Sequence, residues 1–315
     1  LNESVTQTIT YTYADGTTAA DDATDTVTFS RTAPVDAVTG TVTYGEWIAS
    51  NGDTTFDAVT SPVITGYVAD KQTIAEVTGI AAKDADTTIT VVYNQMGQWV
   101  PSFPSGTTDV PSDPMTYPND PNDPTEPLAP GPENENDPGD PANPTLPFVP
   151  GFTPQGPDGP LQPVDPANPS SGYWPPTLPS DPTTDTTITY TADEQAATIT
   201  YVDAVTNEIL GVDHIKGGSD ESHAYTTANR LAAYLASGYE LVSDGYPTNF
   251  TFDRDTAVTQ AYTVTLTHGS QTINPNDPKT PGTPINPDNP DGTKYPDGLK
   301  STDLNESVTR TITYV

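Results

Sequence analysis

Acid–base or metal chemistry in this chain would have to come from three histidines, ten lysines and arginines, and 43 aspartates and glutamates; there is no cysteine. Their placement argues against catalysis. A Ser-His-Asp hydrolase needs a histidine held by a rigid core between nucleophile and acid, whereas His268 closes an alternating stretch and reads as a strand-end residue. His214 and His223 flank the run IKGGSDES, with no third ligand spaced to complete a zinc site. Gly217-Gly218-Ser219 lacks the lysine and the fixed glycine spacing of a phosphate loop. Carboxylate pairs for glycoside hydrolysis could be drawn from dozens of residues, so the sequence singles out none. Lys71, Lys83 and Lys216 sit in turn-like sequence, unlike the buried lysine that an intramolecular isopeptide bond requires. The chain reads as non-enzymatic.

Two binding chemistries remain. Calcium takes hard oxygen ligands on turns. Asp21, Asp22 and Asp25, beside the first expected hairpin, are the acidic group placed to offer them; Asn51-Gly52-Asp53 and Asp253–Asp255 are further acidic turns. None follows EF-hand spacing, and solvated acidic loops are the simpler account in so acidic a chain. No other cofactor is implied. Carbohydrate contact is the second chemistry: sugars present flat C–H faces, and Tyr and Trp join a π face to a polar handle. Tyr44 and Trp47 flank a Gly-Glu step, and Tyr239 and Tyr246 lie near turns. These four are the candidate ligand-binding residues, weighed against ordinary core packing.

The elements that must position them are mostly strands, with a small α+β component. In residues 1–95, Ile9, Tyr11 and Tyr13 alternate with threonines, Asp15-Gly16 is a tight turn, and Val27 and Phe29 continue the pattern. Val42 with Tyr44 is expected as a third strand, residues 53–59 have room for one helical turn, and residues 87–93 close the domain with Ile89, Val91 and Tyr93 inward. In residues 186–270 a hairpin around 203–207 precedes a helix with Thr226 or Thr227 as N-cap, Leu231, Tyr234 and Leu235 on one face, and Gly238 at its end. Two more strands follow. The order β-β-α-β-β predicts a β-grasp-like (ubiquitin-like) arrangement.

Proline separates these segments. Of the 35 prolines, 25 fall between Pro101 and Pro182. Residues 96–185 are therefore expected as an extended polyproline-II-like linker, in which roughly 80 residues at about 3.1 Å each span at most about 250 Å. Trp99, Phe103, Phe148, Phe152, Tyr173 and Trp174 are more aromatic residues than a bare spacer needs. Residues 271–303 form a second Pro/Asp/Asn linker. At 304–315 a new copy begins: LNESVTQTITY of Leu1–Tyr11 returns as LNESVTRTITY, with Arg310 for Gln7. The chain is thus one period of a tandem array, too long in period for a solenoid. A formal charge of −33 disfavours nucleic acid and anionic membrane surfaces. No signal peptide, apolar run of about 18 residues or complete sorting signal is present, so export and anchoring signals are expected outside this sequence.

LNESVTQTITY at Leu1–Tyr11, VTFSRTAPVDAVTG at Val27–Gly40 and SPVITGYVADK at Ser61–Lys71 resemble the mucin-binding (MucBP-type) repeats of Gram-positive, lactic-acid bacterial surface adhesins. ATITYVDAVTNEIL at Ala197–Leu210, ASGYELVSDG at Ala236–Gly245 and VTLTHG at Val264–Gly269 resemble the companion repeat of the same adhesins, and YPDGLKSTDLNESV at Tyr295–Val308 resembles the joint between the two repeat types. The resemblance implies two small β-grasp-like domains in an extracellular, cell-wall-attached adhesin that binds host mucin glycans, with immunoglobulin as a secondary partner. It implies no set of glycan-contacting residues. A structural stalk projecting a binding head elsewhere in the parent protein is the rival expectation.

Overall fold

The computed structural model describes residues 1–108, 110–111 and 113–314. It is mostly β and divides into two compact units: Leu1–Val149 with Thr153–Thr191, and Pro150–Phe152 with the chain from Ala192 onward.

In the first unit, β1 (Asn2–Tyr13) and β2 (Thr18–Ser30) form the expected hairpin. Gly16 sits at φ +84° in its turn, where a side chain would be strained, and its N–H reaches the Tyr13 carbonyl at 2.9 Å. The short strands β3 (Ile48–Ala49), β4 (Thr55–Phe56), β5 (Val59–Thr60), β6 (Tyr67–Ala69), β7 (Thr73–Ile74) and β8 (Val77–Thr78) precede β9 (Thr87–Gln95). The main sheet runs β3-β2-β1-β9-β6, with β1 and β9 parallel, while β4 pairs with β8 and β5 with β7. The apolar face of β1 is buried at Val5, Ile9 and Tyr11. Gln7, also buried, splits that face: Val5 packs with Val27, Phe29 and Phe56, and Ile9 and Tyr11 pack with Ile74, Val91 and Tyr93. Gln7 stands opposite Asp25, so the Gln-to-Arg change in the next copy puts a cation at a register that here faces a carboxylate.

Two expectations fail in this unit. Val42 and Tyr44 are not a strand; both are exposed, and β3 takes the place beside β2. No helical turn forms within 53–59, because Asp53 accepts the Thr55 N–H at 2.9 Å and the chain leaves that turn as β4.

The larger correction concerns residues 96–185, which are folded rather than extended. β10 (Gln98–Ser102), β11 (Met115–Thr116), β12 (Phe152–Gly156), β13 (Gly159–Pro160) and β14 (Thr186–Ala192) form a sheet of order β11-β10-β14-β12-β13, with β10 and β14 parallel. Trp99, Tyr117, Leu146, Val149 and Ile188 are each at most 1% exposed, which only a packed interior gives. The physical reason lies in the Asp-Pro steps. Asp at the first position of a type I turn accepts the N–H two residues on, and proline at the next presets φ. In DPAN at 140–143, Asp140 Oδ1 accepts the Ala142 N–H at 2.8 Å and the Asp140 carbonyl accepts that of Asn143 at 2.8 Å. The second DPAN, at 165–168, repeats both bonds at 2.9 and 3.0 Å. Asp123 and Asp181 make the same turn. Prolines cannot donate, but their carbonyls accept: Pro118 from Leu128, Pro154 from Leu161, Pro182 from Gly97. The prolines therefore punctuate a chain of tight turns around an aromatic interior.

In the second unit, β15 (Glu194–Asp203) and β16 (Ile209–Gly218) form a hairpin, followed by α1 (Ala228–Ala236), β17 (Tyr239–Asp244) and β18 (Gln260–His268). The sheet order is β16-β15-β18-β17, with β15 and β18 parallel at its centre. Ile199, Tyr201, Phe252, Val264 and Leu266 form the core, onto which α1 packs Leu231 and Tyr234. Leu235, expected on that face, is 48% exposed. Thr227 occupies the N-cap position, but its hydroxyl is donated to Asp244 Oδ2 at 2.5 Å and does not cap the helix. Gly238 ends the helix at φ +95°. Among the described residues no helix is long and apolar enough to cross a membrane.

Candidate functional site

Arg31 directly follows β2, and its backbone is fixed by reciprocal bonds with Leu1. The chain then makes a local excursion and returns. The Asp36 carboxylate accepts the N–H groups of Thr39 and Val38, which hold it below the usual aspartate range, and Gly40 at φ +74° completes the turn. Val35 bridges Val42, and the Gly45 N–H reaches the Thr32 carbonyl at 3.0 Å. Gly45 allows the close approach, since a Cβ would lie 2.7 Å from Thr32 Oγ1 and displace that hydroxyl. The result sets Tyr44 and Trp47 beside Arg31: its guanidinium carbon lies 4.3 Å from the Tyr44 ring centre and 4.4 Å from that of Trp47. Each such contact is worth about 0.5–1 kcal/mol at an exposed site. Trp47 is anchored in turn against the Val5–Phe29 core, while Tyr44 is 55% exposed.

Among the described residues the Arg31 guanidinium makes no hydrogen bond and no ion pair, and Arg31 Nε and Trp47 Nε1 are buried without an acceptor. Arg230, Arg254, Lys71, Lys216 and Lys279, by contrast, all pair with carboxylates. A planar cation beside two π faces, with its terminal donors unspent among the described residues, has the chemistry to pair with a carboxylate or sulfate. Sequence reasoning found Tyr44 and Trp47 but not Arg31. The available signal was that the chain has only four arginines against an excess of acid.

The other candidates are placed differently. Tyr246 is a core residue, 8% exposed, stacked on Phe250 at 5.3 Å, with its phenol raised by burial. Of the two readings weighed for this turn-adjacent tyrosine, core packing holds: Asp244 accepts its N–H at 2.9 Å, and the ring lies inward. Tyr239 is half-buried, edge-on to Tyr234 and His268. Asp21, Asp22 and Asp25 lie along β2 rather than on a turn; Asp25 accepts the Asp57 N–H, and no group of three His, Asp or Glu among the described residues is placed to hold a metal ion. Asp53, Asp253 and Asp255 spend an oxygen on N–H groups of their own turns. His214 and His223 do not converge, meeting Thr198 and the Tyr225 N–H respectively. Lys71 and Lys216 are half-exposed or more and pair with Asp70 and Glu194, not with asparagine.

His268 has a structural partner the sequence did not reveal. Its Nε2 lies 2.8 Å from Asp203 Oδ2, joining the end of β18 to the β15–β16 turn. Burial works to raise the Asp203 carboxyl, but the Val205 N–H, the His268 ring and Thr206 outweigh it and leave it lowered. A lowered folded pKa stabilises above the unfolded value, near 3.9, and the contribution disappears as pH falls through the folded value. The second unit should thus hold its full stability to about pH 4 and lose it below. Asp203→Asn should reduce stability at pH 7 and flatten the acid limb, as read from Val264 and Leu266 methyl signals in urea titrations between pH 7 and 2.5. An unchanged acid limb would assign it to other carboxylates.

Comparison with known proteins gives the class first. Residues 1–97 match the model of the Muc B2-like domain, and residues 195–268 match that of a mucin binding domain. Among solved structures, the chain is similar to the mucin-binding domain of Spr1345 from Streptococcus pneumoniae (31% identity over 30% of this chain and 93% of that one, TM-score 0.28). It is also similar to the MucBP domain of an adhesion protein from Pediococcus pentosaceus (35% identity, 29% and 97%, TM-score 0.26). A third likeness is the type 2 repeat of the mucus binding protein MUB from Lactobacillus reuteri, of which the chain spans half (35% identity, 30% and 50%, TM-score 0.25). No curated protein matches. The chain belongs to the family of mucin-binding, MucBP-type repeats.

Proposed function

We propose that the chain is a non-catalytic adhesive repeat of an extracellular, wall-attached bacterial protein, binding mucin glycans weakly at each copy and gaining strength from repetition. The observation that carries this reading is Arg31, held by Tyr44 and Trp47 and, among the described residues, left without a carboxylate in a chain of charge −33. Mucin glycans end in sialate and sulfate, which a rigid guanidinium recognises through paired hydrogen bonds. The aromatic rings then offer faces to the sugar. One such contact is weak, and tandem linkage makes later contacts intramolecular.

The same charge opposes close approach of an anionic glycan over about 8 Å at physiological ionic strength. Acidification toward pH 4 neutralises carboxylates of ordinary pKa, while arginine, sulfate and most sialate stay ionised. Binding to immobilised mucin should therefore rise between pH 7 and 4, be partly mimicked by salt at pH 7, and climb steeply from one copy of the chain to several. Binding absent at every copy number would leave the stalk reading; binding flat in both pH and salt would show that net charge does not govern adhesion.

A further inference from the structure

A cavity of about 890 Å³ opens in the second unit, where the end of α1 and the start of β17 meet residues 271–299. This stretch, expected as a linker, folds back by its own chemistry. Asn286 Oδ1 accepts the Asp288 N–H at 3.1 Å, the Ile285 N–H reaches the Thr293 carbonyl at 2.8 Å, and Asn286 Nδ2 donates to the Ala236 carbonyl at 2.6 Å. Tyr295 Oη donates to Gln271 Oε1 at 2.7 Å. Tyr239 and Tyr295 supply aromatic walls, and Leu235 and Ile285 supply apolar surface left 48% and 38% exposed. The Asn289 amide and the hydroxyls of Ser270 and Thr293, also lining it, take no protein partner among the described residues.

Charge decides what fits. Among the described residues no lysine or arginine lines the cavity and Glu240 is its one carboxylate, while His268 is engaged by Asp203. Ala236, Ser237 and Gly238 bring the carbonyl end of α1, with its partial negative charge. An anion is disfavoured, whereas a neutral ligand with hydroxyl and amide donors and one apolar face is matched, at a volume ordinary for a small-molecule site. We propose that this cavity is a subsite for a neutral N-acetylhexosamine, its ring on a tyrosine, its acetamido methyl against Leu235 or Ile285 and its N–H and hydroxyls on the carbonyls and amides. The assignment rests on reading the chain as a glycan-binding repeat and differs from the Arg31 site in the charge it selects.

The test is an NMR titration of the whole isotope-labelled chain with N-acetylglucosamine, N-acetylgalactosamine and N-acetylneuraminic acid in turn. Saturable shifts of the Tyr239 and Tyr295 rings and the Asn289 side-chain amide are expected with a neutral sugar and not with the acid. Tyr295→Ala should weaken that binding about 10-fold or more. Asn289→Asp, at a half-buried turn residue outside the core, should weaken it by removing the amide donors. Absence of saturable shifts, equal shifts of these same cavity residues with N-acetylneuraminate, or indifference to both variants would overturn the subsite. Intact sugar titration in a chain that never binds mucin would support the subsite and overturn the adhesive reading instead.

Discussion

Arg31→Ala should lower the affinity of a single copy for sialylated or sulfated mucin by roughly 10- to 150-fold, the about 1.5–3 kcal/mol carried by hydrogen bonds to a charged group. The fold should survive, because Arg31 directly follows β2 and its guanidinium pairs with nothing else among the described residues. Arg31→Lys should recover only part of the loss, since an ammonium keeps the charge but neither the planar fork nor the stacking on Tyr44 and Trp47. Tyr44→Ala should fall between the two, freeing the guanidinium to wander without removing it. The decisive control is the ligand: on mucin stripped of sialate and sulfate, wild type and Arg31→Ala should bind equally. Equal binding to intact mucin would mean that the Arg31 cluster only shapes the loop.

Trp99→Ala should destabilise the first unit by about 3–5 kcal/mol, the usual loss for emptying a fully buried indole site. Trp99 is 0% exposed, meets Tyr117 edge-on at 4.7 Å, and sits on β10 in register with Thr186 of β14. Against a typical total of about 5–15 kcal/mol, such a loss should open the proline-rich residues to proteases at temperatures where wild type resists. Gly97→Ala should act similarly by a different route, as its Cβ would lie 2.3 Å from the Thr184 carbonyl oxygen. Thermal unfolding followed by tryptophan fluorescence, with mapping of the first cleavage sites, checks both. An extended spacer would register neither substitution.

The strands with strict alternation were legible in the sequence. The β1–β2 hairpin, β9 and the β-β-α-β-β order all follow from period, turn residues and helix-end signals. What could not be read was the meaning of proline. An Asp-Pro or Asn-Pro step is compatible with an extended helix and with a type I turn, and the outcome depends on whether nearby aromatics find an interior to share. Six of the seven aromatics of residues 96–185 were noticed and Tyr117 was not, while the other buried residues Leu146, Val149 and Ile188 are scattered without period and gave no pattern to find. The sequence leaves Tyr246 between sugar contact and core packing because nearness to a turn says nothing of which way a ring points, and it lies in the core. Arg31 was missed because sugar contact was sought among rings alone, without asking which cation those rings would hold.

In each of three successive segments, the first strand lies beside the last and parallel to it: β1 with β9, β10 with β14, β15 with β18. Tension applied to the chain draws the two members of such a pair in opposite directions along their own length. The ladder is then sheared, so its hydrogen bonds must yield together, whereas an antiparallel hairpin pulled open from one end gives them up singly. Resistance to force is set by the height of the unfolding barrier rather than by equilibrium stability. On the adhesive reading proposed above, repeats clamped this way would pass a pull from many weak contacts along the chain without letting out length.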